Sequence, residues 1–266
     1  MANPSGSFIW YELMTPEPDS ATSFYGAVVG WTIGLADPGR TDGMDYRMIG
    51  RSDGKHAGGV LRITDDMRQN GAQPLWLGYL HVPDAAAAIA AIVADGGKVQ
   101  MPVTAIPGVG NIAMVADPQG VPFYVMTPTP PPDRPDATSD VFSPTDVERV
   151  GWNELSSPDL AASKAFYSRH FGFEFKEVMN MGPMGDYCFI DHDGVRLGAI
   201  MQKRSAGPAT WLFYFRVDSL GAAQRAIEAG GGKVTQGPQE VPGNEWVIAA
   251  TDPAGAAFGV VSARRD

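Results

Sequence analysis

The chain has 266 residues, of which 44% are apolar and 19% charged, with a formal net charge of −10. That length fits two domains with sizeable cores, and the composition excludes wholesale disorder. The negative charge opposes phosphate backbones and anionic lipid, so nucleic acid and membrane surfaces are poor partners and a neutral or cationic small molecule suits the chain better.

The N-terminal stretch "MANPSGSF" has no basic segment followed by an apolar core, and no apolar run approaches the roughly 20 residues of a spanning helix, so a cytoplasmic location is expected. "FIWYEL" (8–13) reads as a short aromatic strand that leads through Thr-Pro into a helix. Ala21, Phe24, Tyr25, Val28 and Val29 share one face of that helix, and Gly30 closes it. Strand-like "DYRMIG" and "AGGVLRI" follow, joined at "RSDGK", whose Asp-Gly is a hairpin signal. Next come the strand "LWLGYLHV", an Ala-rich helix that Asp84 can cap and Gly96-Gly97 ends, and strands near 98–103, 111–116 and 121–127.

Six prolines then fall within residues 127–146, the composition of an extended connector. Beyond it the pattern starts again. Trp10, Glu12, Leu13, Pro16, Phe24, Tyr25 and Gly30 recur as Trp152, Glu154, Leu155, Pro158, Phe166, Tyr167 and Gly172, all at an offset of 142. Later the offset is 135: "PLWLGYLHVPD" answers "ATWLFYFRVDS", "GGKV" recurs, and "DPQGVPFYV" answers "DPAGAAFGV". Each half is therefore two copies of strand, helix and three strands, with seven residues lost from loops of the second half.

This unit, with its "FY…VxGW" helix and closing "DPxG" turn, resembles the vicinal oxygen chelate superfamily, which includes glyoxalase I, bleomycin-resistance proteins and extradiol dioxygenases. The resemblance implies an α+β fold: tandem domains over 7–127 and 148–263 with a Pro-rich linker at 128–147. Each domain would have two βαβββ modules in a curved mixed sheet around a cleft, with helices outside. It says little of function. Metal-using members place His, Gln or Glu at four equivalent strand positions, where several donors converge on one cation. Here those positions map to Trp10, Leu77 and Tyr124 in the first half and to Trp152, Leu212 and Gly259 in the second. The remaining one lies within "AGGVLR" or "LGAIMQ", where Gln202 alone could bind. No metal and no other cofactor is expected.

Strand alternation places Phe8, Trp10 and Glu12 on one face of the first strand, and aims Leu77, Tyr79, His81, Pro122, Tyr124 and Met126 at the same cleft. In the second half it selects Trp152, Glu154, Leu212, Tyr214, Arg216 and Gly259. Both clefts would be aromatic-lined with one carboxylate each, the make-up of a small-molecule site. Trp10 and Trp152 fit a packed core as well as a cleft wall, and Glu12 and Glu154 could bond a nearby Tyr hydroxyl or a helix N-terminus. His56, His170 and His192, beside charged neighbours, read as surface residues. Cys188 reads as an inert core thiol.

Three functions fit. The first is a metal-free protein of the bleomycin-resistance kind that binds a flat or cationic metabolite or drug, with Trp10, Leu77, Tyr124, Met126, Trp152, Glu154, Tyr214 and Arg216 as contacts. The second is a metal-independent isomerase, epimerase or lyase with Glu12 as base and His81 or Tyr79 as acid. A metal-dependent glyoxalase or dioxygenase ranks last. Monomer and homodimer are both open. Arg216 is expected to pair with Glu154 and hold it ionised, leaving the first cleft, with Glu12 and His81, as the one that acts.

Overall fold

A computed structural model describes residues 3–36 and 43–266. Module one comprises β1 (Phe8–Thr15), α1 (Pro18–Val29), β2 (Thr32–Ile33), β3 (Tyr46–Gly50) and β4 (His56–Arg62), followed by a short helix α2 (Asp65–Gln69). Module two comprises β5 (Leu75–His81), α3 (Ala85–Ala94), β6 (Lys98–Ile106), β7 (Gly110–Ala116) and β8 (Pro122–Pro128). Module three comprises β9 (Val150–Ser157), α4 (Leu160–Phe171), β10 (Val178–Asn180), β11 (Asp186–His192) and β12 (Val195–Gln202). Module four comprises β13 (Trp211–Arg216), α5 (Leu220–Ala229), β14 (Lys233–Val241), β15 (Glu245–Thr251) and β16 (Ala257–Ser262).

The strands form two mixed eight-stranded sheets in the same order, β2-β3-β4-β1-β5-β8-β7-β6 and β10-β11-β12-β9-β13-β16-β15-β14. In each module the helix crossover makes the first and last strands parallel, as in β1 with β4 and β5 with β8, while the hairpins between are antiparallel. Asp84 caps α3 as expected, through the amides of Ala86 and Ala87, and the structure adds a cap at Asp159, which accepts from Ala162 at the start of α4. Residues 129–149 contain no helix or strand, only an isolated bridge from Phe142 to Val150.

The loss of seven residues is located by register. Glu12 faces Gly59 and Glu154 faces Ala199, so the offset has already dropped to 140 there; the remainder coincides with the five-residue α2, which has no counterpart in module three. The glycines at 58 and 198 have a steric task. A Cβ on Gly198 would stand 1.7 Å from the Asn153 carbonyl oxygen, and one on Gly58 2.2 Å from that of Tyr11. Neither neighbour is a movable side chain. Gly198→Ala is expected to cost about 2–4 kcal/mol in urea unfolding, because strands β9 and β12 must separate to admit it.

Contacts gather the chain into two compact units, and each takes modules from both sides of the linker. Modules one and four share one unit (Trp10–Trp76, Val141–Trp152 and Leu212–Asp266); modules two and three share the other (through Ile9, Leu77–Asp140 and Asn153–Trp211). In the first of these α1 packs against α5, and Phe24 meets Phe258 with ring centroids 5.8 Å apart. In the second, α3 packs against α4 and Phe123 meets Phe171 at 5.5 Å. Phe8 is a correction to the alternation argument: its ring lies 5.5 Å from Trp211 and 6.3 Å from Phe173, in the core of modules two and three.

The repeated "FY" and "DPxG" motifs meet inside these cores. Trp76 Nε1 donates to Tyr25 Oη (2.8 Å), which donates to Asp252 Oδ2 (3.1 Å); Asp252 Oδ1 accepts from the amides of Ala254 and Ala256. In the other unit Trp211 Nε1 donates to Tyr167 Oη (3.2 Å), and Tyr167 donates to Asp117 Oδ2 (3.3 Å), whose Oδ1 accepts from the amides of Gln119 and Val121. Each helix tyrosine thus binds a turn aspartate from the opposite half of the sequence. Burial pushes both carboxyls above the usual carboxylate range, while the amide and tyrosine hydrogen bonds pull them back.

Candidate functional site

On β1, Trp10 is the one half-exposed residue of an otherwise buried strand. Its Nε1 donates to Tyr46 Oη on β3, 2.8 Å away. Glu12, two residues on, is only 2% exposed and lies opposite Gly59 of β4. Burying a carboxylate to this degree is costly unless the fold supplies partners.

In module two, Tyr79 of β5 and Tyr124 of β8 are register partners and their rings stack, with centroids 4.2 Å apart and planes 14° from parallel. Leu77 is buried on the same strand, and Met126, half-buried, faces His81 across the ladder. His81 sits at the strand end with Nδ1 3.1 Å from the Pro4 carbonyl oxygen, so the N-terminal segment occupies that ring nitrogen. Tyr79, the other candidate acid, is stacked face to face with Tyr124.

In the second half the equivalent positions differ. Trp152 is half-exposed, and Glu154 accepts from Tyr187 Oη at 2.6 Å. Tyr214 lies flat against Gly259, where a Cβ would come within 2.2 Å of its ring. The aromatic face that Tyr124 supplies in the first half is absent at residue 259. Arg216, 5% exposed, corrects the expectation of a pair with Glu154: both of its terminal nitrogens bind Glu245, at 2.7 and 2.8 Å. The strand order makes this reachable, since Glu245 belongs to β15 and only β16 separates it from β13.

Two histidines read as surface residues are also corrected. His192 is buried, with Nε2 2.8 Å from the Ser5 carbonyl oxygen, and His170 is nearly so, 2.9 Å from Asp95. Charged sequence neighbours do not settle burial: Arg169, beside His170, binds the same Asp95 carboxylate. Tyr46 and Tyr187, which hydrogen-bond the candidate residues Trp10 and Glu154, were missed by sequence reasoning. The signal was available, since both fall at the same place in the repeat and hold hydroxyls toward the first strand of their module.

The donor set does not fit a divalent cation. Trp10, Leu77, Trp152, Leu212 and Gly259 bring no N, O or S ligand of the usual kinds, and no group of three His, Cys, Asp or Glu is assembled among the described residues. Gln202, the one side chain at these positions with suitable chemistry, is spent on the start of α4: its Oε1 accepts from Leu160 N and its Nε2 donates to Pro158 O.

Paired βαβββ modules whose ligand positions carry aromatic and aliphatic side chains define a glyoxalase-type fold with an altered site. The family model described as Glyoxalase/Bleomycin resistance protein/Dioxygenase superfamily matches residues 7–125 and again 149–260, and the chain belongs to that superfamily. "Putative glyoxylase CFP32" of Mycobacterium tuberculosis is 27% identical over 258 residues, covering 95% of this chain and 93% of its own. "Anthracycline biosynthesis protein DnrV" of Streptomyces peucetius is 27% identical over 275 residues, covering 97% and 94%. Among solved structures, the Mn(II)-bound glyoxalase from Novosphingobium aromaticivorans aligns over 98% of this chain and 83% of its own, with a TM-score of 0.63 and 18% identity. The 2,3-dioxygenase LapB from Pseudomonas sp. KL28 aligns over 98% and 93%, with a TM-score of 0.62 and 14% identity. At such identities these structures speak for the fold alone. No helix among the described residues is long and apolar enough to cross a membrane.

Proposed function

We propose that this chain is a cytoplasmic, metal-independent small-molecule-binding protein that holds a flat or cationic metabolite or drug against aromatic side chains. The observation that carries this reading is the replacement of ligand positions by aromatic surface: Trp10, held by Tyr46, and Tyr124, stacked on Tyr79. Rings fixed in this way offer a planar ligand large contact area at little entropic cost. A buried carboxylate, Glu12, favours a cation, as does the net charge of −10. One relative is named for anthracycline biosynthesis, and anthracyclines carry a planar ring system, which agrees with this reading. Within it the first half is the working copy, since Tyr124 supplies a ring at the position where Gly259 provides none.

A second reading, isomerase or lyase chemistry with Glu12 as base, draws on the same buried carboxylate. The two are separated by turnover. Titrating the protein with a planar, amine-bearing hydroxyanthraquinone should give saturable binding that a chelator leaves unchanged, with no product beyond the protein concentration. Glu12→Gln is expected to weaken binding by about tenfold, against less than about twofold for Glu154→Gln. Equal losses would make the two copies equivalent. Product in excess of protein would establish catalysis.

A further inference from the structure

The N-terminal segment is seated on modules two and three, within one compact unit. Gly6 N donates to the His81 carbonyl oxygen at 2.8 Å and His81 N to that of Ser7 at 2.9 Å, while Ser7 N closes a turn on Pro4 O at 3.1 Å. Inside that turn two consecutive carbonyls each meet a histidine. Pro4 O lies 3.1 Å from His81 Nδ1, and Ser5 O lies 2.8 Å from His192 Nε2. Gly6 has a φ of 92°, and a Cβ on it would stand 2.0 Å from the Phe171 carbonyl oxygen, so only glycine lets the segment lie this close to the end of α4.

A carbonyl oxygen only accepts, so Nδ1 of His81 carries the proton of its hydrogen bond to Pro4. In the neutral imidazole the other nitrogen, Nε2, then has a lone pair and no proton to give. His81 stands two residues from Tyr79 on the same face of β5, and it faces Met126 across the ladder as Tyr79 faces Tyr124. The residue is half-buried rather than enclosed. At the corresponding place in the second half stands Arg216, a side chain with donors and no acceptor.

Resting on the binding function proposed above, we infer that His81 is a specificity residue of the first half. The N-terminal turn holds it as the Nδ1–H tautomer, and Nε2 accepts a hydrogen bond from an ammonium or hydroxyl group of a ligand lying on the Tyr79 and Tyr124 rings. The ligand class narrows to planar molecules that carry a hydrogen-bond donor at the rim. The role of acid that the catalytic reading gives His81 is reversed, since the neutral ring takes a proton at Nε2 and has none there to donate.

The test has two arms. In protein labelled with 15N-histidine, long-range proton–nitrogen correlation at about pH 8.5, above the ordinary imidazole range, should show the His81 proton on Nδ1. The resonance is identified by its loss in His81→Asn, or in His81→Gln should the first variant not fold. The second arm compares two probes: the amine-bearing hydroxyanthraquinone, and its analogue with methylated hydroxyls and a quaternary amine, which keeps ring and charge but has no N–H or O–H. The wild-type protein should prefer the first by about tenfold. The amide of His81→Asn retains a donor for Pro4 O and has no atom in place of Nε2, so the preference should fall below about twofold with the urea midpoint unchanged. A purely structural loss would weaken both probes alike. A proton on Nε2, equal binding of the two probes by the wild-type protein, or an undiminished preference in His81→Asn overturns the inference alone. Failure of the wild-type protein to bind either probe overturns the functional reading, and the ligand contact of His81 with it.

Discussion

Neither half of the chain, cut at the Pro-rich linker, is expected to fold by itself, while the two co-expressed should assemble into a native-like complex. Each compact unit is built from one module on either side of that linker. Separating residues 1–128 from 147–266 strips Tyr25, Trp31 and Trp76 of Phe215, whose ring lies 6.1, 4.7 and 4.8 Å from theirs, and strips Tyr11 of Phe213 at 5.0 Å. It also bares Phe123, which packs on Phe166, Tyr167 and Phe171. Each such ring loses burial worth about 1.5–3 kcal/mol, against a total stability for a domain of about 5–15 kcal/mol. Near-ultraviolet circular dichroism and urea unfolding provide the check. Either half alone should show no cooperative transition, and an equimolar mixture should regain one. A half that unfolds cooperatively with native aromatic ellipticity would refute this.

Replacing Asp252 by Ala should cost about 3–5 kcal/mol, since it leaves the Tyr25 hydroxyl and the amides of Ala254 and Ala256 buried without an acceptor. Tyr25→Phe, which removes one hydrogen bond and keeps the ring, should cost about 1–2 kcal/mol. Because both residues act through one contact, the losses in Tyr25→Phe and Asp252→Asn should fail to add in a double-mutant cycle. The pH dependence has a defined sign. Burial raises the Asp252 carboxyl above its ordinary range, so its contribution is fully present below about pH 4 and is lost as pH rises through the folded value. Wild-type stability relative to Asp252→Asn should therefore decline from about pH 4 upward. A difference that grows with pH would mean that the ionised form is the one the fold prefers.

The strand positions of the candidate residues Trp10, Glu12, Tyr79 and Tyr124 are legible in the order of the residues alone, because a two-residue period survives any twist of the sheet. Parity fails at Phe8, whose ring enters the core of modules two and three, and it has no means of choosing partners. Arg216 binds Glu245 rather than Glu154 because the order of strands, not their sequence spacing, sets which side chains share a face at reach. Tyr46 is hidden for the same reason: its partner is 36 positions away, and only the β1-β4-β3 ladder brings them together.

By itself the sequence determined the four modules, their helices and hairpins, the cap at Asp84, and which residue types stand where metal-using members of the superfamily carry ligands. All of these are local or repeated properties, written in periodicity, turn chemistry and residue identity. The tertiary structure decided which modules share a core and that each "FY" tyrosine answers a "DPxG" aspartate from the other half. Those depend on contacts distant along the chain, and a repeat whose copies are alike offers several equivalent ways to pair them. Only packing in three dimensions selects one, by whether the rings fit and the buried polar groups find partners.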